Sequence, residues 1–397
     1  MDRKGYVYIL VGVTTILLAS WRMNLSIFYP HLMRYYGVSS VTAIALIATI
    51  ASSISMIAAS FLGILYDRMG PSLLLYIGGF TQFISAALAY FMKYYPWDVS
   101  MWLWYAGGVA VGLGFPALTL SINPTIIRVF STRPDIALAV VQSSNYLALT
   151  LWSPIISRLI SYMDPFTILL LLSIISAIAM ILCAKIYRGF KAVERVRQGS
   201  SGEVPRLFIL MLAPIFFIVT SSAMLLQFVA PIVVEFCEGF GIDFDKASQH
   251  YVPLVMGVSG ILQSLGAFVW GFIARRIGVL KSFPLLYALQ ALTAFLIIVL
   301  SRFSLEAIIV ALWLRFLMFG GEPVIHMVLI PTLFGQENLG KLLGIQTSTV
   351  MASSILGPVV GGLARDITGT FTATVLLSSI FSAIASAIAA IIVISRR

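Results

Sequence analysis

Apolar runs of about 20 residues recur along the whole chain, and this feature constrains its fold most. An α-helix rises 1.5 Å per residue and the hydrocarbon core of a bilayer is about 30 Å thick, so each run is long enough to cross a membrane. Twelve spans are predicted, at 6–30, 40–62, 72–93, 100–126, 136–158, 166–187, 207–235, 250–273, 282–300, 305–330, 342–363 and 371–394. Charged residues make up only 10% of the chain, against about 25% in soluble domains. The sequence therefore predicts an all-α, multi-pass membrane protein.

The distribution of Lys and Arg predicts the orientation, because short loops rich in these residues stay in the cytoplasm. With both termini inside, 17 of the 25 Lys and Arg lie in or next to cytoplasmic segments, six in external loops and two within spans. We therefore expect a protein of the cell membrane with both termini cytoplasmic. The net charge of +10 follows from this topology, and no nucleic-acid partner is expected.

The longest polar interruption, residues 188–206, divides the spans into two groups of six. Its basic start and Gly-Ser-Ser-Gly stretch are typical of a linker. The halves also match each other at offsets of 204 to 208 residues, for example Pro154 with Pro358, Pro116 with Pro323 and Gly70 with Gly278. Such matches indicate an internal duplication. We predict two pseudo-symmetric six-helix bundles, 1–187 and 207–397, joined by the cytoplasmic linker 188–206.

A short motif between spans 2 and 3 is the most specific signal in the chain. The segment Gly63-Ile-Leu-Tyr-Asp-Arg-Met-Gly70 resembles the G-x-x-x-D-R-x-G motif of the major facilitator superfamily, and a degenerate copy at 271–278 lacks the aspartate. The resemblance covers the whole chain and implies a secondary transporter without a cofactor. It also implies a conformational latch, for which the candidates are Gly63, Asp67, Arg68, Gly70, Arg275 and Arg276. The glycines would allow a tight turn and close helix approach.

Arg22 lies inside the first apolar span, where an arginine destabilises insertion by about 3 to more than 10 kcal/mol. The string R-x-N-L-S-x-x-x-P that starts at Arg22 resembles the first helix of the anion:cation symporter group and, more loosely, of the organophosphate:phosphate antiporters. The monocarboxylate and oxalate:formate group is a more distant resemblance. In these groups the resemblance implies that the arginine meets an anionic substrate.

Helix 1 is expected to place Arg22 on one face with small and polar residues at spacings of three and four, namely Thr15, Ala19, Ser26 and Tyr29. We predict that Arg22, Ser26 and Tyr29 bind substrate. The alternative is an arginine satisfied by helix carbonyls or a neighbouring acid that holds two helices together.

Span 10 contains a second group of charged residues, Arg315, Glu322 and His326, which an unbroken helix would place on one face. Pro323 follows two glycines and predicts a bend. Removal from water favours a protonated carboxyl group, whereas a nearby guanidinium favours the carboxylate. We predict that Arg315 binds substrate and that Glu322 and His326 couple transport to protons. The alternatives are a permanent salt bridge for Glu322 and a merely interfacial role for His326.

Further polar residues on the other spans are candidate substrate contacts, foremost Gln142, Asn145, Gln263 and Gln346. Each could equally make an interhelical hydrogen bond that contributes about 0.6 kcal/mol.

The predicted function is secondary active transport of a small organic anion (a carboxylate, a sugar acid or an organic phosphate) by alternating access, with H⁺ as the coupling ion. The alternative is a drug or sugar:proton efflux antiporter with the same fold. Catalytic, metal-ligand and nucleotide-binding motifs are missing from the sequence, so neither an enzyme nor a metal site is expected. Cys183 and Cys237 are predicted on opposite membrane faces. We expect a monomer in the lipid bilayer.

Overall fold

The computed structural model of the protein describes residues 3–129, 134–190, 204–334 and 339–395. All regular secondary structure within these ranges is helical. Two predicted site residues, Asp67 and Gln142, have side chains that lie outside the described part, as do residues 191–203 of the predicted linker.

In the described part of the first half, there are seven α-helices, two of which belong to the first span. They are α1 (Arg3–Ala19), α2 (Phe28–Tyr36), α3 (Val41–Met69), α4 (Pro71–Phe91), α5 (Trp97–Val129), α6 (Pro134–Ile160) and α7 (Pro165–Tyr187). Short 3₁₀ helices follow α1 (Ser20–Ile27) and α4 (Met92–Tyr94).

Among the residues of the second half that the structure describes, there are eight α-helices, of which the second is a single turn. They are α8 (Arg206–Gly239), α9 (Phe244–Lys246), α10 (Val252–Ile277), α11 (Val279–Leu300), α12 (Leu305–Phe319), α13 (Glu322–Phe334), α14 (Leu339–Thr368) and α15 (Phe371–Ile394). A short π-helical stretch, Ala247–Tyr251, precedes α10.

Eleven helical segments of the described chain are long and apolar enough to cross a membrane. The one remaining predicted span is the fifth, 136–158. It corresponds to the 27-residue helix α6, which is not among these eleven segments. The all-α membrane fold predicted from the sequence is confirmed.

The chain divides into two compact units, Met1–Val38 with Leu46–Arg197 and Ser39–Ala45 with Gln198–Arg397. In the first unit, α4 packs against α5 and α7, and α1 packs against α6 and α7. Its core contains fully buried apolar side chains from all of these helices, among them Ile16, Leu75, Leu118, Val141 and Met180.

In the second unit, α11 packs against α12 and α15, α8 against α14 and α15, and α10 against α12. Its core is formed mainly by buried side chains of α8, α10, α11, α13 and α15, among them Ile215, Trp270, Tyr287, Leu329 and Ala385. Polar contacts add to this packing: the Ser221 hydroxyl lies 2.7 Å from those of Ser378 and Ser382 on α15.

The bend predicted in span 10 is present as a break between α12 and α13 at Gly320 and Gly321. A methyl group at Gly320 would overlap the backbone of Gln263 on α10, so the glycine allows the two helices to approach. The aligned region of the first half, α5, is one unbroken helix despite Pro116 and Pro124. The two halves therefore differ at the position where the charged residues of span 10 lie.

The two predicted loop motifs end in glycines with matching backbone conformations. Gly70 has φ +78° between α3 and α4, and Gly278 has φ +88° between α10 and α11. A left-handed φ favours glycine because other residues carry a Cβ atom that clashes there. The expectation for Gly63 was wrong: this residue lies within α3, and a methyl group there would meet no described atom within 4 Å, so close helix approach does not explain it.

Candidate functional site

Arg22 lies in the 3₁₀ segment Ser20–Ile27 and not in a regular α-helix. The predicted stripe of Arg22 and Ser26 on one α-helical face is therefore wrong, because a 3₁₀ helix has three residues per turn and aligns position 22 with position 25. Leu25 indeed lines the same cavity as Arg22. Ser26 and Tyr29 are buried and do not belong to the residues that line this cavity.

The Arg22 guanidinium lies over one aromatic ring, with its carbon 3.1 Å from the centre of the Phe115 ring. Such cation–π contacts are worth about 0.5–2 kcal/mol. The Arg22 Nε is buried and has no hydrogen-bond partner in the described part of the chain. The Phe115 ring thus covers part of the guanidinium, while the Nε donor is left without a hydrogen-bond partner among the described residues.

The Arg22 cavity has a volume of about 30 Å³ and lies within the first unit. Its wall is mostly apolar and includes the rings of Trp21 and Trp104 and the side chains of Leu25 and Val111. Ser85 and Ser173 supply the only hydroxyl groups among the described residues that line it. Arg22 therefore places a positive charge in an apolar crevice.

Arg315 is 2% exposed and lies at the centre of a polar network in the second unit. Its Nη1 donates to the Gln290 side chain, and its Nη2 lies 3.2 Å from the hydroxyls of both Ser221 and Ser222. The Arg315 Nε and the Gln290 Nε2 are buried without a hydrogen-bond partner in the ranges that the structure describes. Arg315 is held by neutral groups and does not line the cavity described below.

Glu322 joins the same network, because the Ser222 hydroxyl donates to the Glu322 Oε1. Ser222 therefore contacts both Arg315 and Glu322. The ion pairs found among the described residues do not include Arg315 with Glu322, so the predicted alternative of a direct salt bridge is not what the structure contains. The break after α12 separates Arg315 from Glu322 and His326 along the span, and Ser222 on α8 contacts both charges.

A cavity of about 280 Å³ lies within the second unit, and three predicted residues line it. Glu322, His326 and Gln346 are each at most 5% exposed and contribute to its wall. The His326 Nε2 lies 2.5 Å from the hydroxyl of the fully buried Tyr287. The structure thus brings an acid, an imidazole and an amide to one cavity. Arg315 does not line this cavity and is linked to Glu322 through the Ser222 hydroxyl.

The remaining predicted polar residues lie elsewhere. Gln263 is fully buried where α10 packs against the break at Gly320, and neither of its side-chain amide atoms has a hydrogen-bond partner among the described residues. Asn145 accepts a hydrogen bond of 2.8 Å from Ser20, which ties α6 to the 3₁₀ segment. Of the predicted latch residues, Arg68, Arg275 and Arg276 are exposed at the ends of α3 and α10.

Sequence reasoning missed the neutral partners of the charges. Gln290 was a detectable signal, since an amide within a strongly apolar span requires a partner. Ser222 could not be distinguished from other serines, because serine is common in transmembrane helices. Phe115 aligns with Glu322 at the repeat offset of 207, and each of these two residues lies in the immediate surroundings of the arginine in its own unit.

Comparisons with known proteins agree with this architecture. A family model described as Major Facilitator Superfamily matches residues 10–244 and again residues 212–397. No protein of curated function matches the sequence.

Two solved structures share the fold. One is a bacterial homologue of the human lysosomal transporter Spinster, in an inward-facing, unoccupied conformation, with a TM-score of 0.73 at 10% identity over 100% of this chain and 98% of that one. The other is a bacterial homologue of the iron transporter ferroportin, in an inward-facing state, with a TM-score of 0.74 at 11% identity over 99% and 100% of the two chains. At such identities the likeness concerns the fold alone.

Proposed function

Because this chain belongs to the Major Facilitator Superfamily and is a secondary transporter, we propose that it moves a small organic anion across the membrane together with a proton. The observation that carries the proposal is the placement of its buried charges. One arginine borders a cavity in the first unit, and one glutamate borders a cavity in the second unit with an arginine behind it.

The anion is proposed from the excess of fixed positive charge. Arg22, Arg315 and Glu322 carry +1, +1 and −1, so they leave a net charge of +1 within the spans. Arginine stays protonated in proteins, and an uncompensated charge at bilayer depth is unfavourable. An anion at Arg22 would compensate it. We assign this role to Arg22 because Arg315 already has three neutral partners and does not line the cavity in front of Glu322.

The proton is proposed from the same charges. If Glu322 takes up one proton when one anion binds, the loaded and the empty protein carry the same net charge. Either event alone would change it by one unit. Glu322 lines the cavity of the second unit, from which it would take up the proton. His326 lines the same cavity and is the candidate for passing protons to Glu322. Gln346, which lines it too, would contact the anion only during its passage, since the bound anion is assigned to Arg22.

The wider setting follows the predictions from the sequence: a monomer in the cell membrane, both termini in the cytoplasm, and alternating access between the two bundles. The motif residues Gly63, Asp67, Arg68, Gly70, Arg275 and Arg276 would act in the conformational change and not in binding.

The test is proton-driven anion uptake by purified protein in liposomes. We expect Glu322→Gln to abolish uptake driven by an inward proton gradient while anion exchange without a gradient persists, because glutamine keeps the shape of the side chain but cannot titrate. Glu306→Gln is the matched control, since Glu306 is exposed at the start of α12. Undiminished proton-driven uptake by Glu322→Gln would contradict the proton role.

A further inference from the structure

We propose that the anion bound at Arg22 is a small monocarboxylate with an apolar body, in preference to a sugar acid, a dicarboxylate or an organic phosphate. This inference rests on the proposed function and specifies its substrate class. It follows from three properties of the Arg22 cavity: the geometry of the guanidinium, its single charge and the chemistry of its wall.

The geometry of Arg22 favours a planar carboxylate. The Phe115 ring lies over the guanidinium carbon, which is 3.1 Å from the ring centre, so a ligand is expected at the guanidinium nitrogens that the ring leaves uncovered. The Arg22 Nε–H is buried and has no hydrogen-bond partner among the residues described. An Nε–H and a neighbouring Nη–H form a fork that matches the two oxygens of a carboxylate.

The charge of the cavity favours a single negative charge on the ligand. Arg22 is the one ionisable side chain among the described residues that line it. A phosphate monoester carries about −1.5 to −2 at neutral pH, and a dicarboxylate carries −2. Either would bring an unpaired negative charge into the apolar wall, where removal from water is strongly unfavourable.

The wall favours an apolar body. Leu25, Val111 and the two tryptophan rings of the cavity offer no hydrogen-bond acceptor, and Ser85 and Ser173 carry the only hydroxyls among the described residues of the wall. A sugar acid would lose water from several hydroxyls and find few partners.

The experiment compares isobutyrate with lactate, which differ by the replacement of one methyl group with a hydroxyl. Dissociation constants are measured on purified full-length protein by intrinsic tryptophan fluorescence, since Trp21 and Trp104 line the cavity. We expect isobutyrate to bind about 10- to 100-fold more tightly, the range for a hydroxyl in an apolar pocket. Gluconate, succinate and glycerol 3-phosphate should bind more weakly than isobutyrate.

A matched pair of variants on α5 tests whether the anion binds in the Arg22 cavity. Val111→Thr adds a hydroxyl to the wall at almost constant volume and should reduce the preference for isobutyrate roughly fivefold, the effect of one neutral hydrogen bond. Val109→Thr makes the same change at an exposed position on the same helix and should leave the preference unchanged. An equal reduction of the preference for isobutyrate in both variants would overturn binding of the anion in the Arg22 cavity.

The outcomes separate this inference from the proposed function. Tighter binding and faster proton-driven uptake of gluconate, lactate or glycerol 3-phosphate than of isobutyrate would overturn the apolar monocarboxylate but leave anion transport standing. Failure of every anion in the set to bind or to be taken up would contradict the proposed function itself.

Discussion

Replacing Ser222 with alanine should shift the pH dependence of uptake, because this hydroxyl contacts both buried charges of the second unit. Ser222 donates to the Glu322 carboxylate and lies 3.2 Å from the Arg315 Nη2. The hydrogen bond to Glu322 stabilises the ionised form of the acid. Without it, Glu322 should accept a proton at higher pH, and acid-stimulated uptake should extend toward neutral pH.

The size of the shift follows from the hydrogen bond that is lost. A hydrogen bond to a charged group contributes about 1.5–3 kcal/mol, and a change of one pH unit in a titration midpoint corresponds to about 1.4 kcal/mol. Arg315 retains Gln290 and Ser221 as partners, so its attraction for the carboxylate should persist. We therefore expect the midpoint of the pH profile to rise by about one to two units.

The neighbouring residue provides the control. Ser221 lies at the same distance of 3.2 Å from the Arg315 Nη2, but its other hydrogen bonds go to Ser378 and Ser382 and not to Glu322. Initial uptake rates into liposomes are measured across a series of pH values for the wild type, Ser222→Ala and Ser221→Ala. A midpoint that stays constant in Ser222→Ala, or moves equally in both variants, would refute Glu322 as the titrating group.

Two predictions concern stability. Gly320→Ala should lower the free energy of unfolding by about 1–3 kcal/mol, because the added methyl group would overpack against α10. Gly63→Ala should be neutral or stabilising by up to about 1 kcal/mol, since its methyl group would meet no described atom within 4 Å. Thermal unfolding of the two variants in detergent compares these effects. Asp164→Ala should lower the free energy of unfolding by about 1 kcal/mol at neutral pH, because the Asp164 side chain caps α7 by accepting a hydrogen bond from the Thr167 backbone N–H. Partial burial alone would raise the pKa of Asp164, but hydrogen bonds from Thr167 and Lys93 hold it below its ordinary value. The Asp164 contribution should therefore be present above about pH 4 and be lost as the pH falls further, and equal unfolding of wild type and Asp164→Ala at pH 7 would contradict it.

The membrane spans could be predicted from the sequence because their signal is local. Run length and composition identify each helix, and the glycines at 70 and 278 identify two turns, since a left-handed φ restricts the residue type. The break after Phe319 was likewise predictable from two adjacent glycines and a proline.

The surroundings of the charges could not be predicted, since they depend on which helices are neighbours. The 3₁₀ segment at Ser20–Ile27 shifts the register of Arg22 relative to Ser26, and no residue in that segment enforces such a change by its type. The contact of Arg315 with Ser222 joins positions 93 residues apart in the chain. The sequence therefore indicates that buried charges are present, and tertiary packing determines their partners.

The central claim is that the fixed charge of Arg22 holds the transported anion. Its most direct test is the dissociation constant of isobutyrate for wild-type protein and for Arg22→Gln, measured by tryptophan fluorescence in detergent. Loss of a charge-assisted hydrogen bond predicts binding roughly 10- to 150-fold weaker in the variant, with partial recovery in Arg22→Lys. Binding of isobutyrate by Arg22→Gln as tight as by the wild type would contradict the claim.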